Sequence, residues 1–149
     1  MTPGRKYVLD TQLYIRAFRE TEANEALQDF HRRYAPFEYL SAIVAQELRA
    51  GVRDPGQGRQ LEKNVLSIYA RVGRLLAPSM GAWQRSGDVL ARMRAVEGLE
   101  IARVTKSFAN HLLLALSCEE SGCVLVTENA KDFLRIQSYV SFEFVPPWP

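Results

Sequence analysis

Apolar and polar positions along this chain switch repeatedly between a short strand-like period and a helical one. Tyr7-Val8-Leu9 is a compact apolar run closed by Asp10, and residues 6–9 read as a first strand. Residues 11–19 follow at helical spacing, with Leu13, Ile15 and Phe18 as apolar contacts. A second helix runs from Thr21 through Glu25, presents Ala26, Leu27, Phe30 and Tyr34 on one side, and is ended by Pro36. Residues 37–43 alternate partly and carry aromatics, which predicts a second strand, and residues 44–50 a short helix stopped by Gly51.

Residues 54–58 (Asp-Pro-Gly-Gln-Gly) read as a loop. Residues 60–76 are the most periodic segment: Leu61, Val65, Ile68, Val72 and Leu75 are spaced for one face of an amphipathic helix. Residues 77–80 form a connector that could carry a small extra strand. Residues 81–96 predict another helix with Trp83, Val89, Leu90 and Met93 inward, stopped at Glu97-Gly98. Residues 104–110 lead into a helix over 111–120, ended by Ser121-Gly122. Cys123-Val124-Leu125-Val126 is apolar throughout, as a strand buried on both faces of a parallel sheet is. Thr127-Glu128-Asn129 turns out of it, 130–136 is a short helix, and 140–145 a last strand before a tail broken by Pro146, Pro147 and Pro149.

Strands alternating with helices predict an α/β sandwich with a mainly parallel central sheet, over a single domain of residues 1–149. Sites in such sheets form at the C-terminal ends of the strands. That rule selects Asp10 with Thr11 after the first strand, Glu47 just beyond the second, and Thr127 to Asp132 after the third clear strand.

Composition, 47% hydrophobic and 24% charged, fits an ordinary soluble globular chain. No apolar run approaches the roughly 18 residues that span a bilayer, so no membrane partner is expected. Asp10 interrupts the N-terminal apolar run, so no signal peptide is read. Two cysteines, Cys118 and Cys123, make no disulfide framework, and a cytoplasmic protein with reduced thiols is expected. Two histidines and no CxxC pair argue against zinc. Net charge is only +2, but residues 49–106 hold 11 Lys/Arg against 5 Asp/Glu, a balance of +6, and the remainder is at −4. No acidic residue occurs from Asn64 to Gly87, where Arg71, Arg74 and Arg85 stand. Those three arginines are candidate contacts for a polyanion such as RNA; each one singly reads equally as a solvated helix face.

Carboxylates gathered at one sheet edge repel one another unless a cation lies between them. Oxygen-only ligands suit Mg²⁺ or Mn²⁺. Near a phosphodiester such an ion activates water and neutralises charge on phosphate oxygens. Each residue also has a plainer role open to it. Asp10 can cap the next helix, Glu47 can be a solvated helix glutamate, Asn129 a turn or cap residue, and Asp132 a favourable charge in a first helical turn. No GxGxxG or P-loop follows the first strand, which argues against a nucleotide-binding α/β domain.

Three stretches in order, Val8-Leu9-Asp10-Thr11, Ser41 to Leu48 ending in Gln46-Glu47-Leu48, and Val124 to Phe133 containing T-x-N-x-x-D-F, resemble the PIN-domain family, in particular the small ribonuclease toxins of the VapC type. The resemblance spans nearly the whole chain. It implies a three-layer α/β/α sandwich, Mg²⁺- or Mn²⁺-dependent cleavage of RNA phosphodiesters, a homodimer, and a cognate antitoxin that blocks the site. It matches Asp10 and Glu47 to the first two acidic ligands, and Asn129 and Asp132 to the polar and acidic positions that complete the pocket. One position departs: Asn110-His111 stands where the family has Asn-Asp, so His111 takes the place of an acidic ligand. A neutral imidazole binds Mn²⁺ but is a poor ligand for Mg²⁺. The resemblance therefore implies either a ribonuclease with a retuned site or a non-catalytic, metal-deficient PIN-like binding protein.

Overall fold

The structure is a computed structural model that describes residues 4–148; Pro149 of the proline tail lies outside them. Five strands form one sheet in the order β3-β2-β1-β4-β5, with every pairing parallel. They are β1 (Lys6–Leu9), β2 (Glu38–Ser41), β3 (Leu75–Leu76), β4 (Cys123–Val126) and β5 (Glu143–Val145). Helices α1 (Thr11–Arg19), α2 (Thr21–Tyr34), α3 (Ala42–Ala50), α4 (Pro55–Leu61), α5 (Ser67–Arg71), α6 (Met80–Glu97), α7 (Lys106–Ser121) and α8 (Ala130–Gln137) cover it as a three-layer α/β/α sandwich. α1 packs on α2 and α3, while α7 packs on α6, α8 and β4.

β1 and β4 form the centre because both are apolar on both faces. Val8, Leu9, Val124, Leu125 and Val126 are all at most 1% exposed. α7 is buried along nearly its whole length, from Phe108 to Cys118, which fits its near-continuous apolar sequence.

Several boundaries differ from the expectations. The second strand is shorter than 37–43, because Ser41 caps α3 by accepting from the Ile43 N–H (3.2 Å). The segment 54–58 is not a loop: Asp54 caps α4, accepting from the Gln57 N–H (2.9 Å), with Pro55 at the first helical position. The long helix expected over 60–76 is interrupted by a π-helical turn at Glu62–Leu66 and ends at Arg71. Leu75 belongs to the small extra strand, which lies ahead of the 77–80 connector. α7 starts at Lys106, capped by Thr105, five residues earlier than expected. The last strand is confined to Glu143–Val145. Trp83 is 56% exposed, so it is not a core residue; Val89 and Met93 face inward as expected.

The π turn has a packing consequence. Leu61 and Val65 are buried, but Ile68 (48% exposed) and Val72 (51%) are not, and Leu66 and Tyr69 are buried in their place. One extra residue in the turn rotates the apolar stripe. Tyr69 fixes the new register by donating to the buried Glu38 (2.7 Å), which also bonds His31 Nδ1 (2.6 Å), and by pairing its hydroxyl with that of Tyr14 (2.9 Å). His31 is thus tied to the start of β2.

Candidate functional site

The site is at the C-terminal edge of the sheet, where β1 and β4 end. The Asp10 N–H donates to the Val126 carbonyl (2.9 Å) and the Thr127 N–H to the Val145 carbonyl (3.1 Å), so the ladder carries both residues just past the strands. Thr127 Oγ1 donates to Asp10 Oδ2 (2.7 Å) and accepts from the Asn129 N–H (3.0 Å). Asp10 Oδ1 accepts from the Thr11 N–H (2.8 Å), so Asp10 does cap α1. Thr11 Oγ1 donates to Glu47 Oε1 (2.7 Å), linking the start of α1 to α3. Asp10 and Glu47 are joined through one threonine.

A cavity of about 590 Å³ opens over this edge, lined by Asp10, Thr11, Glu47, His111, Glu128 and Asn129 among others. Asp10 is 4% exposed. Burial pushes its carboxyl above the usual carboxylate range, and Glu47 adds to the rise. The Thr127 hydroxyl, Coulombic attraction to His111 and the Thr11 N–H act in the opposite direction.

Asp132 does not line the cavity. Its Oδ2 bonds His111 Nδ1 (2.8 Å), with a longer contact from Asn129 Nδ2 (3.4 Å). Asn129 Oδ1 caps α8 by accepting from the Asp132 N–H (3.2 Å), so Asn129 serves as cap and cavity wall at once. His111 is 8% exposed and its ring lies 4.8 Å from that of Phe133. The residue in the place of the expected acid is therefore an imidazole anchored by a carboxylate. Glu128 is exposed at the rim, where the Arg16 guanidinium holds it.

The three arginines of the basic segment lie elsewhere. None lines this cavity. Arg85 pairs with Glu119 (3.0 Å), Arg71 donates to its own helix at the Ser67 carbonyl (3.3 Å), and Arg74 Nε is buried with no hydrogen-bond partner among the described residues. Gln12, Ile15 and Ser107 also line the wall and Arg16 pairs with Glu128 at its rim, none of which any motif or spacing in the chain singles out for the site. The T-x-N spacing was a signal for the Thr127 hydroxyl that orients Asp10.

The chemistry of the donor set fits a hard cation at two positions. Mg²⁺ is usually held by one or two carboxylates and completes its shell with water and substrate phosphate; Asp10 and Glu47, on one water-accessible cavity, match that pattern. Among the described residues no three His, Cys, Asp or Glu side chains converge into a ready cage.

Comparison with known proteins adds the fold. No family model and no curated protein matches the sequence. Solved structures do match in shape. A chain of FitAB bound to the IR36 DNA fragment superposes with a TM-score of 0.70 at 20% identity, over 96% of both chains. A chain of FitAcB from Neisseria gonorrhoeae gives 0.67 at 20% identity, over 95% of this chain and 98% of that one. A chain of DNA-bound VapBC from Salmonella typhimurium gives 0.68 at 21% identity, again over 95% and 98%. The fold is PIN-like. In this PIN-like chain the sheet edge carries two carboxylates, a His–Asp pair and two threonine hydroxyls. No helix among the described residues is long and apolar enough to cross a membrane.

Proposed function

We propose that this PIN-like chain is a metal-dependent endoribonuclease and the toxin of a toxin–antitoxin pair. The observation that carries the reading is the Asp10–Thr11–Glu47 bridge on a polar cavity at the sheet edge. Similarity in fold to chains of the FitAB and VapBC complexes supports the toxin role and an antitoxin partner. A homodimer is part of the proposal; exposed apolar side chains at Val72, Leu75, Met80 and Trp83 supply surface that a second copy would cover.

Asp10 and Glu47 would hold Mg²⁺ or Mn²⁺, which when bound supplies positive charge to phosphate oxygens and acidity to water. The protein's own groups do the rest. Thr127 and the Thr11 N–H fix the Asp10 carboxylate, and Thr11 Oγ1 fixes Glu47, so both oxygens are aimed before substrate arrives. Asn129 offers an amide at the wall, and Asp132 orients the His111 ring. Purified protein incubated with single-stranded RNA and Mn²⁺ or Mg²⁺ tests the reading: wild type cleaves and Asp10→Asn does not. Equal cleavage by both would assign the activity to a contaminant.

A second reading keeps fold, partner and RNA binding but not catalysis. The His111–Asp132 pair favours it, because it places an imidazole where the reading above expects an acidic ligand. His111→Asp separates the two readings: a variant that cleaves where wild type is inert supports the non-catalytic reading for wild type. A variant that changes neither cation affinity nor cleavage shows that His111 is not a defect.

A further inference from the structure

A second cavity, about 410 Å³, adjoins the first and shares Ile15 and Glu47 with it. Its walls come from α1, α3 and the α4–π-turn segment. Phe18 of α1 stands 57% exposed at the groove, although it is an aromatic at a position the helical spacing would bury. Across from it are Gln60 and Asn64, four residues apart, whose side-chain amides make no hydrogen bond to any described residue. Asn64 belongs to the π-helical turn, an irregularity frequent at functional sites. Arg19 and Arg53 also line the groove, and neither forms an ion pair among the described residues.

We propose that this groove is the subsite for the unpaired RNA base that flanks the cleaved phosphodiester. The inference rests on the ribonuclease reading above. A polynucleotide whose phosphate sits against Asp10 and Glu47 has its next unit in the space that continues past Glu47. There the exposed Phe18 ring offers a stacking platform, the usual means by which proteins hold single-stranded bases. The amides of Gln60 and Asn64 present both donors and acceptors, which read a base edge. Arg19 and Arg53 supply the positive charge that the acidic site cavity lacks, matching the backbone phosphates on either side of the base. Ile15, Leu48, Val52 and Leu61 give the groove an apolar floor on which a base can lie; the arginines and the continuity with the site favour a nucleotide as the occupant. The groove then sets which base is tolerated beside the cut.

The test uses full-length protein with Mn²⁺ and labelled single-stranded RNA oligomers of one base each. Affinity is read by fluorescence anisotropy in an Asp10→Asn background, and base preference by sequencing of products from the active chain. Phe18→Ala, at an exposed position, keeps the wild-type melting profile and loses affinity by about 5- to 150-fold. Gln60→Ala with Asn64→Ala changes the base preferred beside the cut while cleavage continues. If wild type cleaves RNA and these variants match it in both affinity and preference, the groove assignment alone is overturned and the groove belongs to a protein segment. If wild type neither binds nor cleaves RNA, the ribonuclease reading falls, and the subsite with it.

Discussion

Asp10 is 4% exposed, and burial raises its carboxyl above the usual carboxylate range. A carboxyl whose folded-state pKa is raised adds stability below its unfolded pKa and loses that contribution as pH rises through the folded value. At neutral pH the charged Asp10 therefore works against folding. Asp10→Asn removes the charge at nearly the same shape, so in chelator at pH 7 it should melt higher than wild type. The gap should close as pH falls into the ordinary carboxylate range, where Asp10 takes up its proton in the folded wild type as well. Thermal melts of both proteins across pH check this, and a gap independent of pH would mean that Asp10 is not strained. Thr127, 2% exposed, is the counterweight: it donates to Asp10 and accepts from the Asn129 N–H. Thr127→Val keeps the volume but leaves a buried carboxylate oxygen and an N–H without a partner, at a cost of about 1–3 kcal/mol by urea denaturation.

Within the α4–α5 segment the structure separates two apolar stripes that the sequence presents as one. Leu66→Ala removes a buried side chain and should cost about 2–5 kcal/mol. Ile68→Ala, on the stripe that regular helical spacing favours, should stay within about 0.5 kcal/mol of wild type, because Ile68 is 48% exposed. Denaturant unfolding of the two variants reads the register of the π turn directly. The same element shows what periodicity can and cannot reveal. Leu61 and Val65 obey it; Leu66 and Tyr69 are fixed by a hydrogen bond from Tyr69 to Glu38, a partner 31 residues away. Central strands were legible because both faces are buried and their sequences are uninterrupted. Asp10 and Glu47 were legible because each follows a strand, and the T-x-N-x-x-D spacing announced the Thr127–Asn129–Asp132 chain of bonds. The groove beside Phe18 was not, since an exposed aromatic on an amphipathic helix reads as core, and Arg16–Glu128 joins residues 112 apart.

At the scale of the molecule, the two carboxylates come from separate parts of the fold, Asp10 at the end of β1 and Glu47 on α3. They meet only in the native state. A cation held between them should therefore bind the folded chain and not the unfolded one, and stabilise it by mass action. At a free concentration 100-fold above its dissociation constant the gain is about 2.7 kcal/mol. For a chain of this size that corresponds to a rise of about 5–10 °C in melting temperature. Chelator-treated wild type titrated with Mn²⁺ should show this rise, saturating with concentration. Asp10→Asn and Glu47→Gln should each lose most of it while melting cooperatively on their own. His111→Asp adds a third carboxylate to the same wall, and its melting temperature should fall in chelator through repulsion with Asp10. It should then recover with Mg²⁺ at lower concentration than wild type requires, because an added oxygen ligand favours the harder ion. If Mg²⁺ and Mn²⁺ leave the melting temperature of wild type unchanged while His111→Asp responds, the natural His111–Asp132 pair has closed the site to hard cations. The PIN-like fold would then serve this chain as a binding scaffold.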